Sequence, residues 1–147
     1  MPKFRCPKWS TSLSVGNDEI DAQHKEFLEK IARVSKLIED GEAQEIKDAA
    51  TAMVALLKVH FDTEERIFEA TPYPQAAEHA VEHRVLLHIA THARKMIIGS
   101  NESKYLRLSL RFLAQSMVEH LMTTDKGYRP YLSPAGNSLP QTEQPSP

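Results

Sequence analysis

The feature that most constrains this chain is a set of four long stretches in which apolar residues recur every three or four positions, with histidines and carboxylates set into the same stripes. That period marks helices with one buried face. In the first stretch the stripe is Ile20, His24, Phe27, Ile31, Val34 and Ile38, on a helix expected from about Glu19 to Asp40. The second, from about Ala43 to Ala70, carries Ile46, Ala50, Met53, Leu57, His60, Glu64 and Ile67. The third, from about Gln75 to Ile98, carries Ala76, His79, His83, Leu86, Ala90 and Ile97. The fourth, from about Glu102 to Thr124, carries Leu106, Leu110, Leu113, Met117 and His120, with Asp125 just past its last regular turn.

The punctuation agrees with these limits. Gly16-Asn17-Asp18 reads as a turn with a helix cap, and Gly41 and Gly99 read as C-terminal stops. Ser100 or Asn101 can cap the fourth helix. Thr71-Pro72-Tyr73-Pro74 ends the second helix, because proline lacks the backbone donor and restricts the residue before it. Four helices with short joints predict an all-α, antiparallel, up-down-up-down four-helix bundle.

The flanks differ. Residues 1–17 read as an extended arm: Pro2 and Pro7 oppose helix, while Trp9, Leu13 and Val15 can pack across helix ends. Tyr128 and Tyr131 are placed to fold a closing segment over one end. From Ser133 to Pro147, four prolines among Gly, Ser, Gln, Thr and Asn describe a tail with little reason to order itself. The expected division is a bundle with its arm over 1–132 and a tail over 133–147.

A length of 147 residues suits one domain. Eighteen basic residues oppose twenty acidic ones, so charge gives no case for a nucleic-acid partner. Cys6 is the lone cysteine, which rules out an intrachain disulfide. No run has the length of a signal peptide or of a membrane span. A cytoplasmic monomer is the default expectation.

The polar members of the stripes converge. His60 and Glu64 are one turn apart near the end of the second helix, and His79 and His83 are one turn apart near the start of the third. His120 ends the fourth helix and His24 begins the first, so all share one end of an antiparallel bundle. Left unpaired, each of these seven groups would cost a few kcal/mol or more to bury. A metal centre satisfies them together. Seven ligands exceed what one tetrahedral zinc accepts, so a bridged pair of ions is the economical solution, with Glu64 and Asp125 able to span both. Ligand type leaves iron, zinc and manganese open. The Glu-x-x-His signature of ferritin-like bundles is absent. His88 and His92 lie about 140° and 180° around the third helix from His83, which makes them exposed bystanders.

These residues resemble the hemerythrins, bacterial members in particular. The resemblance rests on Trp9 to Gly16, Asp21-Ala22-Gln23-His24, His60 to Glu65, Tyr73-Pro74 with His79 and His83, and His120 through Asp125 to Tyr128. It implies two iron ions per chain, one held by His79, His83 and His120, the other by His24 and His60. Glu64, Asp125 and an oxo or hydroxo group would bridge them. It further implies reversible dioxygen binding at the two-histidine iron, for storage, delivery or sensing, with no catalytic residue. Phe27, Phe61, Ser116 and Met117 would line the dioxygen pocket. The family commonly has Trp and Leu where this chain has Ser116 and Met117, so a wider or wetter pocket is expected here. Di-iron oxidase, peroxidase or nitric oxide reductase activity is the alternative, and a metal-responsive interaction module is a third. Gln23, Glu65 and backbone carbonyls are candidate partners for the outer histidine nitrogens, without assignment.

Overall fold

The computed structural model describes residues 5–99 and 103–131. Four long helices form the bundle: α1 Asp18–Asp40, α2 Ala43–Glu69, α3 Ala76–Gly99 and α4 Ser103–Met122. A short turn of helix, α5 Thr124–Gly127, and a 3-10 turn Arg129–Tyr131 follow. α1 packs on α2 and α4, and α3 packs on α2 and α4, so the helices occupy the corners of a square. The expected all-α bundle is the observed one. Among the described residues, no helix is long and apolar enough to cross a membrane.

The helix ends show why the sequence breaks where it does. Asn17 caps α1, its side chain accepting from the Ile20 amide at 3.1 Å, worth about 1 kcal/mol. Gly16 enters that turn at φ 81°, a conformation that favours glycine. Asp21 then holds the arm in place by accepting from the Val15 amide at 2.9 Å and from the Ser14 hydroxyl. Glu42 and Glu45 form a reciprocal capping box at the start of α2.

Two apolar regions stack along the bundle. The larger runs away from the histidines and includes Ile31, Ala50, Met53, Leu57, Leu86, Ala90, Ile97, Leu110 and Leu113. The smaller closes the histidine end with Val15, Ile20, Phe68, Tyr73 and Tyr128. Each buried large side chain contributes about 1.5–3 kcal/mol of transfer free energy. Trp9 and Leu13 pack on Leu28 and Leu121, so the arm is tied to the bundle and includes a 3-10 turn at Thr11–Leu13 rather than running fully extended.

Three details differ from the sequence reading. α4 stops at Met122, not Thr124, because the chain turns at Thr123 and restarts as α5. That restart places Asp125 inside the bundle end. On α2 the buried residue is Phe68, while Ile67 is half-buried beside it. Ile38 is half-buried rather than core. Pro2, the Ser100–Asn101 cap, Glu102, the Leu106 side chain and the tail fall outside the described residues.

Candidate metal centre

Each helix delivers its donor at the same end. His24 enters from α1, His60 and Glu64 from α2, His79 and His83 from α3, His120 from the end of α4, and Asp125 from α5. All seven residues are buried, none more than 4% exposed. The donor atoms fall into two groups, each within 4.8 Å: Glu64, His79, His83, His120 and Asp125; and His24, His60, Glu64 and Asp125. Only the two carboxylates belong to both.

Atom by atom, each carboxylate turns one oxygen to each group. Glu64 Oε1 lies 3.3 Å from His60 Nε2 and 3.6 Å from His24 Nε2. Glu64 Oε2 lies 2.9 Å from His83 Nε2 and 3.7 Å from His79 Nε2. Asp125 Oδ2 lies 3.1 Å from His24 Nε2. Asp125 Oδ1 lies 2.8 Å from His120 Nε2 and 3.0 Å from His79 Nε2.

The cluster fits a cation better than it fits itself. Glu64 Oε2, Asp125 Oδ2, His83 Nε2 and His120 Nε2 are buried and make no hydrogen bond of acceptable geometry, despite those short separations. The atoms face one another at distance but not along a donor axis. Burying such groups unsatisfied is costly, and a shared positive ion removes the cost.

The outer nitrogens fix the rings. His60 Nδ1 donates to Gln23 Oε1 at 2.9 Å. The direction follows from the chain behind it: Thr63 Oγ1 donates to Val59 O at 2.8 Å, so it accepts from Gln23 Nε2 at 3.2 Å, which turns the Gln23 carbonyl to the ring. The Nε2 lone pair of His60 therefore points into the cluster. His83 Nδ1 meets Glu65 Oε1 at 3.1 Å, His120 Nδ1 lies 3.1 Å from Glu82 Oε1, and His79 Nδ1 meets the Tyr73 hydroxyl at 3.4 Å. His24 Nδ1 has no partner. Tyr128 donates its hydroxyl to Glu64 Oε1. Phe61 stacks on His83 at 4.1 Å between ring centroids, and Phe68 lies 4.7 Å from His79.

Without a cation, the cluster holds protons. Burial alone would lower His24, but the carboxylates of Asp125 and Glu64 beside it outweigh that and raise the group to about 9. His120 is raised to about 9 against burial by Asp125 and Glu82. Burial prevails at His60 and lowers it to about 4. Asp125 is held well below the usual carboxylate range, against burial, chiefly by His120 and His24. Burial beside Glu64 and Asp125 pushes Tyr128 upward, so it stays a donor.

The structure thus brings together all seven residues singled out as ligands. Phe27, Phe61 and Met117 are buried in the core, whereas Ser116 is half-buried on α4. His88 and His92 are exposed on α3. Sequence reading missed Tyr73, Glu82, Thr63 and the Tyr128–Glu64 bond. A buried tyrosine hydroxyl needs a partner, which was the available signal for Tyr128.

Fold and site together define a helical-bundle protein with a buried His/Glu/Asp centre whose geometry is consistent with a pair of iron ions. The family model described as Hemerythrin HHE cation binding domain matches residues 15–132, and the chain belongs to the hemerythrin family. A bacteriohemerythrin from Methylococcus capsulatus is 26% identical over 77% of this chain and 86% of its own length. One from Stenotrophomonas maltophilia is 25% identical over 82% of this chain and 77% of its own. A solved wild-type hemerythrin has the same fold, with a TM-score of 0.78 at 23% identity, covering 88% of this chain and 99% of that one.

Proposed function

We propose that this chain binds dioxygen reversibly at two irons held by His24, His60, Glu64, His79, His83, His120 and Asp125. The observation that carries the reading is the division of carboxylate oxygens, one to each donor group, with three imidazoles on one side and two on the other. A pair of ferrous ions, if bound there, would supply two electrons to dioxygen and recover them on release. His24 and His60 offer one imidazole fewer than the other group, which would leave that position for an added ligand.

The chain's own residues supply the rest. Five neutral imidazoles and two carboxylates bring only two negative charges to the pair, so the centre retains positive charge that favours an anionic ligand. Gln23, Glu65, Glu82 and Tyr73 hold the rings in orientation from outside. Tyr128 fixes the Glu64 carboxylate through its hydroxyl. Phe27, Phe61 and Met117 exclude water from the core side.

The test is anaerobic purification, metal analysis, and an absorption spectrum on adding and removing dioxygen. Two irons per chain with a reversible visible band is the expected result. One zinc per chain, or no response to dioxygen, overturns the reading. Turnover with an electron donor in place of a stable oxygenated spectrum would move the assignment to a di-iron oxidase, peroxidase or nitric oxide reductase.

A further inference from the structure

The outer face of α3 and α4 has a composition that the site does not explain. Among the described residues nine large apolar side chains are exposed, and all but Val59 lie on these two helices. Six of them share one surface. At about 100° per residue, Val81, Val85 and Met96 fall within about 60° of one another on α3, and Tyr105, Leu108 and Phe112 do so on α4. They are far from grazing exposure: Phe112 is 59% exposed and Val85 54%. The surface is grooved as well. A cavity of about 290 Å³ opens between the helices, lined by His88, Ile89, His92, Ala93, Ser109 and Phe112. Single exposed apolar residues are ordinary on a protein surface, but a continuous patch marks an interaction site.

Charge along this face selects the occupant. Exposed Glu78 and Glu119 lie toward the metal end of α3 and α4, beside one exposed base, Arg84, and exposed Lys95 and Lys104 lie toward the opposite end. An apolar face with net acid toward one end and base toward the other is complementary to itself when turned end for end. That is the requirement of a two-fold interface, in which one patch meets its own copy. With the axis near His88 and Phe112, α4 lies antiparallel to α4 of the copy. Glu119, seven residues past Phe112, then meets Lys104, eight residues before it.

We propose that the α3–α4 outer face docks a second copy of this chain in antiparallel, two-fold fashion. This departs from the monomer expected from sequence. It does not depend on what the metal centre binds, because no residue of the face is a member of that cluster. His88 and His92 then acquire a place at the centre of an interface, where a ligand role is unnecessary.

The experiment is sedimentation velocity of the full-length, metal-loaded chain from about 1 to 200 µM, the range in which a modest interface half-associates. A reversible monomer–dimer equilibrium is expected. Phe112→Glu should weaken it at least about tenfold, since it places a charge at the centre of the patch. Glu119→Lys should weaken it about two- to fivefold, and Glu119→Lys with Lys104→Glu should restore it. Helicity and iron content, measured on every variant, keep misfolding separate from loss of association. A monomeric mass at all concentrations overturns the proposal, whether the face is bare or covered by the chain's own C-terminal segment. Dimerisation indifferent to Phe112→Glu places the contact elsewhere and overturns it too. Failure of the double swap to restore association overturns the antiparallel pairing.

Discussion

On the α3–α4 side of the metal centre every imidazole has its outward nitrogen facing a partner, whereas on the α1–α2 side one of the two does not. His83 faces Glu65 and His79 faces the Tyr73 hydroxyl, while His120 Nδ1 lies 3.1 Å from Glu82 Oε1, within ion-pair range but outside hydrogen-bond geometry. Opposite them, His60 is held by the neutral amide of Gln23, and His24 Nδ1 is buried without a partner. Carboxylate-backed imidazoles are more basic donors with fixed rings. Two of the three imidazoles on the three-histidine side thus have a carboxylate behind them, and neither on the two-histidine side does. The lesson is that asymmetry is built twice, in the number of ligands and in what stands behind them.

The hardest test of this contrast is His24→Ala. It should empty the two-histidine position, cut iron from two per chain to about one, and abolish the response to dioxygen. His88→Ala, on the exposed face of α3, should change neither. Equal loss of iron in both variants would mean that the helix faces are misassigned.

A smaller effect sharpens the comparison between backing groups. Gln23→Leu removes the acceptor from His60 Nδ1 and leaves Thr63 without its donor, so iron affinity at that position should fall by about 10–100-fold. Glu65→Gln on the other side should cost less than about tenfold, because the Glu65 side chain is 38% exposed and water can take its place. Competition titration with a chelator measures both. Equal losses would erase the difference between the two sides.

Protons test the same cluster without metal. His24 and His120, both raised to about 9, stabilise the metal-free fold fully below their unfolded value near 6.5, and that stability is lost as pH rises through about 9. His60, lowered to about 4, acts in the other direction: it must stay neutral, so stability falls as pH drops from about 6.5 through 4. The depressed carboxylates Glu64 and Asp125 extend the acid loss below about pH 4.5. Metal-free protein should thus melt highest near pH 6.5 and lose on the order of 5 °C by pH 9.5. Loaded protein should not show the alkaline loss, because the ion replaces those protons. A flat metal-free profile between pH 6.5 and 9.5 would contradict the proton-holding cluster.

How much of this was legible in the sequence depends on distance along the chain. Helices and their inner faces follow from local periodicity, and the observed ends lie within a residue or two of the expected ones, as at Asp18 and Gly99. The convergence of His24, His60, His79, His83 and His120 follows from antiparallel order alone. Backing contacts do not. Gln23 meets His60 across 37 residues, and Thr124 meets Glu82 across 42. Such pairs depend on the relative rotation and height of two helices, which a stripe fixes only to about a turn. The exposed apolar face of α3 and α4 was missed for a related reason: periodicity identifies which residues face inward, and says less about whether the other side is polar.

Ser116 offers the finest probe of how the centre is shielded from water. Its neighbour Met117 is buried, yet Ser116 itself is half-buried, one turn before His120. A hydroxymethyl group covers less of α4 there than a bulky indole would. If water reaching the centre by this route drives irreversible oxidation, Ser116→Trp should slow decay of the oxygenated form about two- to threefold, roughly 0.5 kcal/mol of barrier. The measurement belongs at concentrations where the chain is monomeric, since an added indole also enlarges the apolar face beside Phe112. A native oxygenated form that decays no faster than the variant would remove Ser116 from the pocket wall. Lability would then have to arise within the His24–His60 side itself, starting with the unpartnered His24 ring.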